Sequence, residues 1–321
     1  MRPRHLSSTL LLKYPSHRWK PATRVRAPHV ATLTFVALCL VARFAYSLND
    51  VFIGRVARRQ SRMETAAFRG VSLGVSMSPW LLLVPASAWA ALAGQLGLLC
   101  LTVALTAAAN ILQLQAVRFL PFGLRAALML SSMAAGSVIL GWLLLGERLT
   151  PLEVGLCVCL VGSAVTVALG QHASTEIELD VPRGALLTLL AGVLMVCGVF
   201  GVKRLAANTH PLLTAWAWEF GAGLILLAPA LLRARQASGA ELAARFRGVA
   251  VAALPTAVAS GASVLALGFG ELGLWGALGG TQILFTAALG AAWHHETLGW
   301  RRGLAMLLTM AAVAGLAFAR Q

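Results

Sequence analysis

Long apolar runs recur along the chain, each closed by charged residues, proline or glycine. A hydrocarbon core of roughly 30 Å needs about 20 apolar residues per helix, and the pattern predicts ten membrane-crossing helices. The first five fall at 30–54, 64–84, 92–117, 122–145 and 152–169, and the second five at 183–203, 211–232, 248–269, 272–293 and 300–319. The connections are short. The longest are 170–182, which carries Glu176, Glu178 and Asp180, and 233–247, where Leu242 and Phe246 between Arg and Glu predict a small interfacial helix. No stretch is long enough for a separate soluble domain. The fold class expected is therefore an all-α integral membrane protein. Its parts are a basic tail (1–29), a five-helix unit (30–169), a connecting loop (170–182) and a second five-helix unit (183–321).

Composition sharpens this reading. Charged residues make up 12% of the chain and hydrophobic residues 59%, whereas soluble proteins carry about 25% charged residues, so there is too little charge to cover a surface in water. The net charge of +15 is no nucleic-acid signal, because the cations sit in the tail and at the breaks between runs, where they anchor helices to headgroups. Residues 1–28 hold Arg2, Arg4, Lys13, Arg18, Lys20, Arg24 and Arg26 and no acid. That is the composition of a basic cytoplasmic tail, with an organellar transit peptide as the alternative. The apolar stretch around Leu10–Leu12 is too short for a secretory signal. Cys39, Cys100, Cys157, Cys159 and Cys197 lie inside apolar runs without metal or redox spacing, and read as packed thiols.

The chain resembles itself. Gly146-Glu147-Arg148-Leu149 follows the fourth run and His295-Glu296-Thr297-Leu298 the ninth, and the next runs hold Gly155 and Gly303 near their starts. Runs one and two align without a gap onto runs six and seven, setting Arg69 opposite Glu219 and Gln60 opposite His210. A repeat with an odd number of crossings must thread the membrane in the opposite sense at its second copy. Two such copies are related by a pseudo-two-fold axis in the membrane plane, the arrangement that underlies alternating access.

The run Leu145-Gly146-Glu147-Arg148-Leu149-Thr150, with Gly155 and Gly162 after it, resembles the signature of the drug/metabolite transporter superfamily, and most closely its EamA-like branch. Ser47-Leu48-Asn49-Asp50 and Arg69 add to the likeness, which spans 30–319; His295 departs from the glycine usual at that position. The resemblance implies ten helices in two inverted five-helix repeats, with spans one, three, four, six, eight and nine around a central cavity. It implies a secondary active transporter, export being the favoured direction, with a small polar or amphipathic substrate, no enzymatic activity and no cofactor. The expected location is the bacterial inner (plasma) membrane, an organellar membrane being the alternative, with both termini cytoplasmic. The positive-inside rule is divided: Arg55, Arg58, Arg59, Arg62, Arg233, Arg235, Arg245, Arg247, Arg301 and Arg302 oppose the tail, Arg148, Lys203, Arg204 and Arg320. Protons are the candidate coupling ion, and a homodimer is an open option.

Ionisable groups inside a bilayer cost about 2.5–3.5 kcal/mol each, so each asks for a reason. Glu219, within Trp216-Ala217-Trp218-Glu219-Phe220, lies too deep in its span to reach headgroups easily; Arg69 and Arg43 also fall within spans. An intramembrane ion pair is one reading of Arg69 and Glu219, and a proton-coupling carboxylate or substrate counter-charge the other. Glu147, Glu153 and Glu296 sit at breaks, where helix capping or pairing with Arg148 or Arg301 is expected. Candidate substrate contacts are Asn49 and Asp50 in span one and Asn110 and Gln113 on one face of span three. Ser131 and Ser132 in span four, and Thr281 and Gln282 at nearly equivalent repeat positions beside Gly279-Gly280, join them, as does Trp275. Asp50 has an interface placement as its alternative, and the span-three amides have interhelical hydrogen bonding. His294-His295-Glu296 lacks HExxH spacing, and neighbouring helical residues diverge by about 100°, so no metal site is expected. Two other classes stay in view. A lipid-modifying membrane enzyme would need Asp50, Arg69 and Glu219 together at headgroup depth. A non-transporting scaffold would show a packed bundle without a polar cavity.

Overall fold

The computed structural model describes residues 29–57, 60–116, 119–120, 122–169 and 180–294, with single positions from 300 onward. Among them the chain is all-helical: α1 (His29–Ala57), α2 (Arg62–Met77), α3 (Ala86–Ala93), α4 (Leu96–Ala116), α5 (Phe122–Leu145), α6 (Pro151–Leu169), α7 (Val181–Asn208), α8 (Pro211–Arg233), α9 (Gly239–Phe269), α10 (Leu272–Leu278) and α11 (Thr281–His294). Among the described residues seven segments, against the ten expected over the whole chain, are long and apolar enough to cross a membrane: Ala31–Ile53, Arg62–Leu83, Leu96–Ala116, Leu128–Leu145, Pro182–Asn208, Pro211–Arg233 and Gly239–Phe269. Large apolar side chains stand exposed on the outer faces, including Phe44, Leu82, Trp142, Leu186, Leu224, Ile225 and Val258. Water would not tolerate such a surface, and lipid does. Residues 1–28 of the basic tail, Glu176, Glu178, His295, Glu296, Arg301 and Arg302 lie outside the described residues.

Several elements differ from the sequence pattern; α3 falls largely in the predicted connection before the third span, which itself starts only at Leu96. The second predicted span is α2 followed by a 3-10 segment, Ser78–Leu83, because Pro79 withholds a backbone donor and tightens the last turns. The ninth breaks at Gly279-Gly280 into α10 and α11. No separate interfacial helix forms at 233–247. Instead α9 starts at Gly239, where the Ser238 side chain accepts from the Glu241 N–H, and runs unbroken to Phe269. Leu242 and Phe246 pack inward against the cluster around Phe68, with the Phe68 and Phe246 rings edge to face at 5.6 Å.

Small residues set the helix spacing. A Cβ on Gly70 of α2 would lie 2.4 Å from the Gly223 Cα of α8, so the two backbones touch. The buried face of α9 is Ala252, Ala253, Thr256, Ala257, Ala259, Ser260, Gly261 and Ala262, which lets α1 lie close along it. Such contacts hold helices together in a solvent that exerts no hydrophobic pressure. The most extensive contacts pair α1 with α9, α4 with α7, α2 with α8 and α5 with α10. When each element is exchanged for its counterpart in the other half (α1 for α7, α2 for α8, α4 for α9, α5 for α10), this set of pairs is unchanged.

Candidate functional site

Between the two halves lies a cavity of about 110 Å³. On α1, Arg43, Tyr46 and Asp50 recur at helical spacing on one face, with Asn49 beside them. Arg69 enters from α2, Thr106, Asn110 and Gln113 from α4, Trp218 and Glu219 from α8, Trp275 from α10 and Gln282 from α11. Arg125, Met129, Leu130 and Met133 of α5 and Met195 and Val199 of α7 complete the wall.

The charged groups are held by specific partners. Glu219, 3% exposed, faces Arg69 with Oε2 to Nη2 at 3.7 Å, and its Oε1 accepts from the Ser260 hydroxyl. The Ser260 oxygen in turn meets the Tyr46 hydroxyl at 3.1 Å. Asp50 accepts from the Gln282 amide at 2.9 Å and interacts electrostatically with Arg125. Arg43, also 3% exposed, donates to the Trp275 carbonyl at 3.2 Å and lies over the Trp275 ring, 4.3 Å from its centroid. The Trp275 indole N–H donates to Ser263 at 2.9 Å, and that of Trp218 to Thr106 at 2.7 Å, so both rings are fixed in orientation.

At one end of the bundle Gly146 takes φ +67°, the left-handed conformation that glycine adopts without strain, and turns the chain back after α5. The turn carries the Glu147 carboxylate to the start of α10. There it accepts from the Leu272 and Gly273 N–H groups at 2.8 and 3.1 Å and from Lys203 Nζ at 2.6 Å. Lys203 also donates to the Gly270 carbonyl at 3.0 Å. Gly141 leaves room for this, since a Cβ there would fall 2.3 Å from Glu147 Oε2. Glu153 closes a reciprocal capping box with Thr150 at the start of α6: the Glu153 carboxylate accepts from the Thr150 N–H at 2.6 Å, and the Thr150 hydroxyl accepts from the Glu153 N–H at 3.3 Å. Where α2 and α9 begin, Glu64 pairs with Arg245 at 2.9 Å, and Arg245 also bonds Glu241.

Of the residues singled out from sequence, Asn49, Asp50, Asn110, Gln113, Trp275, Gln282, Arg69 and Glu219 lie on the cavity wall. Ser131, Ser132 and Thr281 do not. Ser132 sits where a Cβ on Gly192 of α7 would clash, and donates to the Met129 carbonyl; Thr281 bonds the Leu278 carbonyl. Met129 and Met133 take the cavity face of α5 instead, since neighbouring helix positions diverge by about 100°. Asp50 is not at a helix end, because α1 continues to Ala57. Span eight does not line the cavity as the family resemblance implied: α9 is covered by α1 and acts through Ser260 and Ser263, while α2 and α8 reach the wall directly. Sequence reasoning passed over Tyr46, Thr106, Trp218 and Arg125 as site residues. Arg125 carried a signal in its position within an apolar run, and Tyr46 in its helical spacing from Arg43 and Asp50; Thr106 and Trp218 carried none.

A lipid-facing helical bundle enclosing a cavity lined by charges and amides defines a membrane protein of the transporter class. The EamA-like transporter family model matches the chain twice, over residues 33–169 and 182–318, and the chain belongs to that family. It is therefore a membrane protein of the drug/metabolite transporter type, carrying two copies of the family's repeat. A solved protein crystal structure superposes with a TM-score of 0.64 at 15% identity, covering 91% of this chain and 96% of its own, a likeness of fold alone. Among curated proteins none matches the chain.

Proposed function

We propose that this chain is a secondary active transporter that exports a small polar or amphipathic metabolite by alternating access. Its architecture in this reading is ten membrane helices in two inverted five-helix units, 30–169 and 183–321, joined by 170–182 and preceded by the basic tail 1–29. The observation that carries the reading is the Arg69–Glu219 pair at the cavity wall. The ungapped alignment of runs one and two with runs six and seven sets these residues at equivalent positions, and equivalent positions in two-fold-related repeats meet each other only at the axis relating them. The exchange-invariant helix pairing supports the same axis. A binding site on such an axis is accessible from either side when the repeats trade conformations.

In this reading Asn49, Asp50, Asn110, Gln113, Trp275 and Gln282 contact the substrate. Glu219 or Asp50 carries the coupling proton. The membrane is the bacterial inner membrane. Two observations weigh against the other classes: the polar cavity is unlike a closed scaffold, and Asp50, Arg69 and Glu219 converge about 10 Å in from their helix ends rather than at headgroup depth. Purified protein in liposomes tests the proposal. Flux of at least one member of an amino-acid, nucleoside and drug-like panel, driven by a pH gradient, is expected; no flux for the whole panel overturns it.

A further inference from the structure

The cavity wall holds three arginines, Arg43, Arg69 and Arg125, against two carboxylates, Asp50 and Glu219. Glu219 faces Arg69, and Asp50 interacts with Arg125. Arg43 has no carboxylate partner among the described residues. It meets one carbonyl and one indole face, both from Trp275, and its Nε is buried without a hydrogen-bond partner. A guanidinium keeps its charge at any physiological pH. Burying an unpaired ion is costly, and a single cation–π contact recovers only part of that cost. A built, buried cation with open donor capacity in the wall of a cavity calls for an anion that is not part of the chain.

From this excess of one positive charge we propose that the cavity takes a small organic monocarboxylate, its carboxylate docked on the Arg43 guanidinium and its apolar part against Met129, Met133 and Met195. The planar fork of Arg matches a carboxylate through two parallel hydrogen bonds. The thioether side chains supply a deformable apolar surface that suits an amphipathic ligand. Trp275 holds the guanidinium in place from its ring face and carbonyl, and Ser263 holds Trp275. The inference deepens the transporter reading by naming the substrate class of the same site.

Benzoate, benzamide and benzylamine share a ring and differ in charge, so they serve as probes for the full-length protein in nanodiscs. Calorimetric titration should find benzoate bound more tightly than the other two. Arg43→Gln should weaken benzoate about tenfold, the loss of one charge-assisted pair, change benzamide less, and leave benzylamine, relieved of a like charge, bound no more weakly than before. Arg43→Lys keeps the charge without the fork and should fall between. The comparison of three probes on the unaltered protein stands even where Arg43→Gln fails to fold. Benzoate binding no tighter than benzamide or benzylamine overturns the proposal, as does an unchanged benzoate affinity in a folded Arg43→Gln. Uptake of the same probes into liposomes separates the two readings. Arg43-dependent benzoate binding without flux of any probe means that the transport reading fails and the anion site stands. Flux without preference for benzoate means the reverse.

Discussion

At the residue scale, several of the described acidic groups join one helix to another. Glu147 accepts from two backbone N–H groups and one ammonium, and so ties the end of α5 to α7 and α10. Hydrogen bonds to charged groups contribute about 1.5–3 kcal/mol each, and the Lys203 bond is one of three. Glu147→Ala should therefore lower the thermal unfolding temperature in detergent more than Lys203→Ala does. A double-mutant cycle should return a coupling energy of about 1–3 kcal/mol; strict additivity would show that the two side chains do not act together. The same scale holds the coupling question. Glu219→Gln removes the charge while keeping an acceptor for Ser260, and it should abolish the pH dependence of flux. Unchanged flux and pH dependence would take that residue out of the mechanism.

At the element scale, the crossing of α2 and α8 governs where Arg69 and Glu219 meet. Gly70 and Gly223 touch backbone to backbone, and Gly74 leaves room for the Phe220 ring. No flexible side chain lies between the two glycines to move aside, so Gly70→Ala should cost at least the 1–3 kcal/mol typical of overpacking, and Gly70→Leu should prevent folding. Gly97→Ala is the control, because nothing lies within 4 Å of a Cβ there and alanine favours helix by about 1 kcal/mol. Melting temperature and the monodisperse fraction on size exclusion measure the difference. A Gly70→Ala protein as stable as Gly97→Ala would mean that the crossing is not tight. The break at Gly279-Gly280 follows related logic: Gly279 stands where a Cβ would lie 2.6 Å from the Gly276 carbonyl oxygen and 3.5 Å from the Arg43 guanidinium carbon.

At the scale of the whole molecule, two polar clusters bracket the cavity. Glu147 and Lys203 follow the end of α5 and lie near the end of α7, whereas Glu64 and Arg245 lie near the starts of α2 and α9. Short connections between successive crossings put these clusters toward opposite ends of the bundle. Alternating access requires one to loosen while the other holds. A single cysteine replacing Gln113, in a background lacking the five native cysteines, should label faster from one side of the membrane in Glu147→Ala and from the other in Glu64→Ala. Equal effects on both sides, or none, would dissociate the clusters from gating.

The membrane class and the twofold repeat were legible in the amino-acid pattern, because burial in lipid demands long apolar runs and duplication leaves matching motifs such as the Glu and Leu shared by 147–149 and 296–298. Much of the polar wall was legible too, since ionisable groups in apolar runs stand out. Which face each polar residue takes was not. Ser131 and Ser132 looked equivalent to the cavity amides, yet the approach of Gly192 on α7 holds Ser132 against that helix and leaves the opening to Met129 and Met133. The joining of Glu147 to a helix in the other repeat, and the covering of α9 by α1, depend on contacts between residues far apart in the chain. A periodic pattern records what each helix needs to bury, while the partner that buries it is selected only when small residues on two helices let their backbones meet.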